Sequence, residues 1–248
     1  MHTRKLHLPE TTSTALHIMA MLFMLCDHLW ATIISGNDWL TCVGRLAFPI
    51  FAFLLVEGYF HTGNLKKYML RMLAFALLSE IPFNLVMGST WVYPIHQNVL
   101  WTFLISLVLI HLNELAKRSG RRWRQILVIP LTLALGFLLG LITFTDYHYA
   151  GIFMVLTFYY FRGRNWWNLL PQLLAMACIN IEMLSGFSYQ FQLFGSTRFF
   201  PRQGFALLSL IPIWLYRGKQ GPYNKALKYT YYAFYPVHLL ILGLIRLL

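Results

Sequence analysis

Long apolar stretches make up most of this chain, and most of them carry one or two polar residues. Nine segments can be drawn, at roughly 14–34, 40–61, 65–87, 93–112, 124–143, 147–161, 167–186, 203–216 and 228–247. A helix needs about 20 apolar residues to cross a hydrocarbon core about 30 Å thick. The sixth and eighth segments are short for that, which predicts tilted, shielded or re-entrant helices. The pattern predicts an all-α fold: a polytopic transmembrane helical bundle of about nine helices (eight to ten), as a single domain over 1–248. The stretch from Phe187 to Arg202 (FSYQFQLFGSTRFFPR) is aromatic and polar and reads as a lid or a half-inserted segment. The first apolar run is too long for a signal-peptide core and lacks a small-residue cleavage pattern, so it reads as a retained helix.

Composition sharpens this picture. Hydrophobic residues make up 58% of the chain and charged ones 11%, against about 25% charged in a soluble domain. The net charge of +12 does not imply a nucleic-acid partner, because the basic residues sit in short loops between apolar spans. With the N-terminus in the cytoplasm, sixteen Lys and Arg residues fall on the inner side, from Arg4 and Lys5 to Lys225 and Lys228. Only Arg198 and Arg202 fall outside. This bias predicts a cytoplasmic N-terminus, an outer C-terminus and a multi-pass protein of the cell (inner) membrane. The three cysteines (Cys26, Cys42, Cys178) form no CxxC pair and say little about redox compartment.

The polar residues inside the spans carry the chemistry. An ionisable group in lipid costs about 2.5–3.5 kcal/mol on insertion scales, so it faces a cavity or a partner and is a functional candidate by default. His28, preceded by Asp27, lies about 21 Å from the inner face of the first span. Arg45, Glu80, the run His96-Gln97-Asn98, and His238 fall at similar depth in the outer half. A charge at that depth needs a partner, and Arg45 is the natural one for Asp27 or Glu80. Adjacent helical residues diverge by about 100°, so Asp27 and His28 do not pair simply with each other. A second layer near the inner face holds His17, Glu57, His61, Lys66, Lys67 and Arg71. His17 and His28 are about 20° off a common helix face and about 16 Å apart, which suits a tunnel joining the two layers.

Structural roles account for several of these residues as well. An ion pair that fixes helix packing explains Asp27, Arg45 and Glu80 as well as a site does. Capping of a helix start explains His96-Gln97-Asn98 equally, and positive-inside topology explains Lys66 and Lys67, with Arg71 a turn deeper. No HExxH, GxSxG, P-loop or zinc-like spacing is present, and no metal is expected.

Several runs together carry a resemblance: MLCDHLW, GRLAFPIFAFLLVEG, SEIPFNL, HQNVLWTF, DYHYAGIFMVL and YYAFYPVHLLIL. In these, over most of its length, the chain resembles the TraX family of integral membrane proteins, named for an F-pilin acetylase. That family is similar in turn to transmembrane acyltransferases that use acyl-CoA, which place a histidine in an early helix and a tyrosine–histidine stretch late, as Tyr235 and His238 here. The resemblance implies acyl transfer with acetyl-CoA or another acyl-CoA as donor. It assigns catalytic positions to Asp27, His28, Arg45, Asn98 and His238. The chain departs from the family pattern at His17, where a lysine is common.

These readings predict that His28 acts as base or transient acyl carrier, with Arg45, Asn98 or His238 stabilising an oxyanion. His17, Lys66, Lys67 and Arg71 would bind the acyl-CoA phosphates. The acceptor is an amine or hydroxyl reached from the outer side or from the lipid bilayer, on a peptide N-terminus, a glycan, a lipid or a small amine. Two rivals share the polar layer: a proton-coupled transporter or permease, and a non-catalytic assembly factor.

Overall fold

The computed structural model describes residues 10–247. Arg4 and Lys5 of the predicted inner basic set, with His2 and His7, lie outside the described residues. The helices are α1 (Ser13–Thr32), α2 (Asp38–Gly44), α3 (Ala47–His61), α4 (Leu65–Gly88), α5 (Val99–Arg118), α6 (Arg122–Ile142), α7 (His148–Tyr160), α8 (Trp166–Ala177), α9 (Leu210–Leu215) and α10 (Lys225–Leu247). Side chains set several starts. Thr12 accepts from Ala15 N, Asn64 from Lys67 N, Asn98 from Leu100 N and Asn165 from Asn168 N.

Six helices among the described residues are long and apolar enough to cross a membrane, with α2 and α3 together forming one of them. They expose large apolar side chains such as Ile126, Leu127 and Ile142 of α6, as lipid-facing helices do. The other three predicted segments are shorter. α7 has 13 residues, about 20 Å of rise. It need not match the bilayer, because α3, α5, α6 and α8 surround it and Met154 through Tyr159 are all buried. α8 continues through a π-helical turn, Cys178–Met183, and α9 follows a 3-10 stretch, Arg202–Ser209. We call the end of the bundle where α1 begins proximal and the opposite end distal. α10 lies along α4 and touches α1, while α1 packs on α2 and α3.

One segment departs from the all-α expectation. Ser188–Leu193 (β1) and Ser196–Pro201 (β2) pair as an antiparallel hairpin. Its two-residue turn is Phe194 (φ 50°) and Gly195 (φ 74°), the left-handed pair that matches hairpin twist. The hairpin is moored at its base. Tyr189 Oη donates to Asp38 Oδ2 at 3.4 Å and lies 3.3 Å from Cys42 Sγ. Arg202 stacks over Trp30 and Phe187 beside it. The tip residue Phe194 is 97% exposed.

The distal loops are pinned together, which positions the site beneath them. Gln97 N donates to Phe144 O at 2.8 Å, Asp146 N to Gln97 O at 2.9 Å, and Thr102 Oγ1 to Asp146 O at 2.7 Å.

Candidate functional site

Two cavities lie between the helices. The larger, about 580 Å³, reaches from the proximal loops into the bundle. It is lined by His17, Glu57, Arg71, Lys228, Tyr231 and Tyr232 among others. The smaller, about 410 Å³, lies distally among Asp27, His28, Arg45, Asp146, Tyr147 and Gln203. Met24, Phe51, Val99, Phe103 and Tyr235 line both, so the cavities abut across a partition of apolar and aromatic side chains. His17 and His28 stand on one face of α1 on either side of it, as their spacing predicts.

The His28 ring is set by a relay. His238 Nδ1 lies 2.6 Å from Phe234 O, and His238 Nε2 lies 2.7 Å from His28 Nδ1. A backbone carbonyl only accepts, so His238 Nδ1 carries a proton. In a neutral ring His238 Nε2 is then an acceptor, and His28 Nδ1–H donates to it. His28 Nε2 is left with its lone pair and has no hydrogen-bond partner among the described residues. A backbone carbonyl thus dictates, through two imidazoles, which nitrogen of His28 is basic. The Asp27 and Glu80 carboxylates and the Asn98 amide bond elsewhere.

Asp27 is committed to Arg45. Arg45 Nη2 donates to both carboxylate oxygens at 2.6 and 2.8 Å, and Thr41 Oγ1 donates to Asp27 Oδ1 at 2.7 Å. Arg45 Nη1 reaches Gln203 Oε1 at 3.3 Å. Arg45 Nε is buried with no partner. The pair is therefore charge-compensated, yet beyond these bonds the guanidinium keeps the Nε–H and one Nη1–H, on a residue lining the small cavity. Gly44 permits this closeness, since a Cβ there would stand 2.7 Å from Asp27 Oδ1.

Glu80 and Asn98 form a separate cluster. Trp101 Nε1 donates to Glu80 Oε1 at 2.6 Å, and Asn98 Nδ2 donates to Glu80 Oε1 and to Ala76 O. Asn98 Oδ1 caps α5. Its amide is fully used, it is 0% exposed, and it lines neither cavity. The capping reading describes Asn98 better than an oxyanion role.

Of the expected donor-binding residues, Arg71 and His17 line the large cavity. Arg71 Nε donates to Tyr232 Oη at 3.1 Å, leaving its terminal nitrogens without hydrogen-bond partners among the described residues. The His17 ring stacks on Tyr231 at 4.4 Å. Lys66 and Lys67 are exposed and line neither cavity. Lys228, counted above only for loop charge, lines the large one instead. Glu57 is neutralised by Arg162 at 2.7 Å, so the large cavity is cationic on balance.

Asp146, Tyr147 and Gln203 escaped the sequence reading. Asp146 and Tyr147 sit in the run DYHYAG at a segment start, where loop and site look alike, and Gln203 arrives through the chain turn after the hairpin. Outside the spanning helices, the hydrogen bond from His96 Nε2 to Asp146 Oδ1 at 3.4 Å raises the His96 imidazole above its ordinary pKa, against the opposing effect of burial.

The fold and site define a class: a multi-pass helical membrane protein with a half-buried histidine and an arginine–carboxylate pair beside a cavity. Within that class the chain belongs to the TraX family, whose model, described as TraX protein, matches residues 12–246. It is also similar to the protein named "Probable fimbrial assembly protein FimC, serogroup H1" of Dichelobacter nodosus. The two are 27% identical over 249 residues, covering 92% of each chain. No solved structure matches the chain.

Proposed function

We propose that this protein is an integral membrane acyltransferase that moves an acyl group, acetyl in the simplest case, from acyl-CoA to an amine or hydroxyl. The observation that carries the reading is the relay from Phe234 O through His238 to His28. It presents an unprotonated Nε2 at the edge of a cavity that abuts a second, cationic one. General base catalysis asks for such a nitrogen near neutral pH.

In this reading Arg71 and Lys228 hold the CoA phosphates, and His17 with its stacked Tyr231 offers a planar surface to the adenine. The thioester reaches past Met24 and Phe51 to His28. As the acceptor X–H attacks the thioester carbonyl, His28 Nε2 takes its proton. The Arg45 guanidinium donates to the oxyanion, a contact that can be worth about 3–4 kcal/mol in a dry site. Collapse breaks the C–S bond, and the CoA thiolate takes the proton back from His28, leaving acyl–X and CoA-SH. His238 Nε2 keeps its bond to the imidazolium throughout.

Loop charge supports a cytoplasmic proximal end, the side from which acyl-CoA comes. The relative's name is that of a fimbrial assembly protein, and we place the acceptor on a comparable surface assembly. A proton-coupled permease draws on the same two abutting cavities. Radiolabelled acetyl-CoA separates the readings when given to membranes containing the protein. An enzyme releases CoA and labels a membrane or surface component, whereas a permease leaves the thioester whole. His28→Ala should abolish label transfer with membrane insertion intact, and near-wild-type transfer in that variant would refute the assignment.

A further inference from the structure

The backbone over residues 144–148 is strained. Phe144 (φ 51°), Tyr147 (φ 61°) and His148 (φ 46°) all adopt the left-handed conformation, and none is glycine. Such positions persist only where the surroundings over-determine them, and they gather at functional sites.

Here the surroundings do so. Asp146 is held by Gln97 O through its N–H and by Thr102 Oγ1 through its carbonyl. Asp146 Oδ1 accepts from Tyr147 N at 3.1 Å, and His148 N donates to Thr145 O at 2.8 Å. Gly151 makes room for the turn, since a Cβ there would lie 2.8 Å from Tyr147 Cβ and 3.0 Å from Thr102 Cγ2. The consequence is a fixed aromatic ring. Tyr147 stacks on Phe48 with centroids 4.1 Å apart and planes 15° apart. Its side chain lines the small cavity with His28 and Arg45, and its hydroxyl has no hydrogen-bond partner among the described residues. Phenylalanine would fill the stack equally well, so the stack leaves the hydroxyl unexplained.

We propose that Tyr147 is a further catalytic residue of the small cavity, its phenol O–H giving the oxyanion a second hydrogen bond beside the Arg45 guanidinium. This rests on the acyl-transfer reading above. No proton changes hands at Tyr147. The carbonyl π pair moves onto oxygen as the acceptor adds, both donors shorten their contacts to it, and both relax as the C–S bond breaks.

The test is Tyr147→Phe in the full-length protein, measured for CoA release from acetyl-CoA beside wild type and His28→Ala. The expected result is a kcat lower by 10- to 100-fold, an unchanged KM for acetyl-CoA and an unchanged melting temperature. A more acidic fluorotyrosine, placed at 147 by codon suppression, should keep or raise wild-type turnover. A structural role would not respond to phenol acidity. If wild type turns over, His28→Ala is dead and Tyr147→Phe stays within twofold of wild type, the inference falls and the acyl-transfer reading stands. Lower kcat together with lower thermal stability, and no response to the fluorotyrosine, also overturns it. If wild type releases no CoA, the acyl-transfer reading fails and takes this inference with it.

Discussion

Gly44→Ala tests whether the arginine–carboxylate pair depends on the close approach of α1 and α2. The new Cβ would sit 2.7 Å from Asp27 Oδ1 and 2.8 Å from Asp27 Cγ, and closer still to Asp27 Cβ. Turning the Asp27 side chain does not relieve the last contact, so the helices themselves must separate. Ordinary contact begins at 3.4 Å and the Cβ contact is shorter than the 2.7 Å to Oδ1, so the opening exceeds 0.7 Å (3.4 − 2.7). Added to the 2.6 Å bond from Arg45 Nη2 and the 2.7 Å bond from Thr41 Oγ1, it carries both to the edge of hydrogen bonding. Removing a partner from a fully buried ion pair costs about 3–5 kcal/mol. Asp27 and Arg45 keep 18% and 21% of their side-chain surface exposed, which argues for about 2–3 kcal/mol. In a chain of this size that lowers the melting temperature by roughly 4–12 °C. Thermal scans in detergent measure it, with Asp27→Gly as the partner background because that change removes the three atoms nearest to the new Cβ. Adding Gly44→Ala to Asp27→Gly should then cost almost nothing. A single variant as stable as wild type, or strict additivity of the pair, would refute the reasoning.

His238→Phe keeps an aromatic ring but removes the acceptor for His28 Nδ1–H. The lost hydrogen bond to an imidazolium is worth about 1.5–3 kcal/mol, so kcat should fall roughly 10- to 150-fold, and a wild-type kcat would show that the relay is idle. Arg71→Ala should raise the KM for acetyl-CoA with little change in kcat, while the double variant Lys66→Ala, Lys67→Ala should leave both near wild type; the reverse pattern would move the donor site to the exposed lysines. His96 should titrate above an ordinary histidine by NMR, and Asp146→Asn should remove the rise. The stability from that pair is complete below the unfolded-state pKa of histidine and is lost as pH rises through the elevated folded value, so Asp146→Asn should flatten the stability profile over that window.

Much of the bundle could be read from residue pattern alone. The six long helices follow from runs of apolar residues, because lipid admits only segments that satisfy their own backbone. Polar residues such as Asp27, His28 and Arg45 stand out within those runs for the same reason, since each costs too much in lipid to be accidental. The direction of each side chain also follows locally: helix periodicity separates Asp27 from His28 and aligns His17 with His28.

Partners across helices needed tertiary structure. Arg45 satisfied two candidate carboxylates on depth, and only the approach of α1 and α2 at Gly44 chose Asp27. Asn98 carried the same polar signal as His238, yet a helix cap and Glu80 consume its amide while His238 passes a carbonyl's preference to His28. The hairpin was hidden because its turn is Phe194-Gly195, where Asn or Asp before glycine would have announced it. Tyr147 was hidden because left-handed backbone leaves no periodic trace. Periodicity gives depth and facing along one helix, whereas the chemistry of this site depends on distances between helices, which only packing decides.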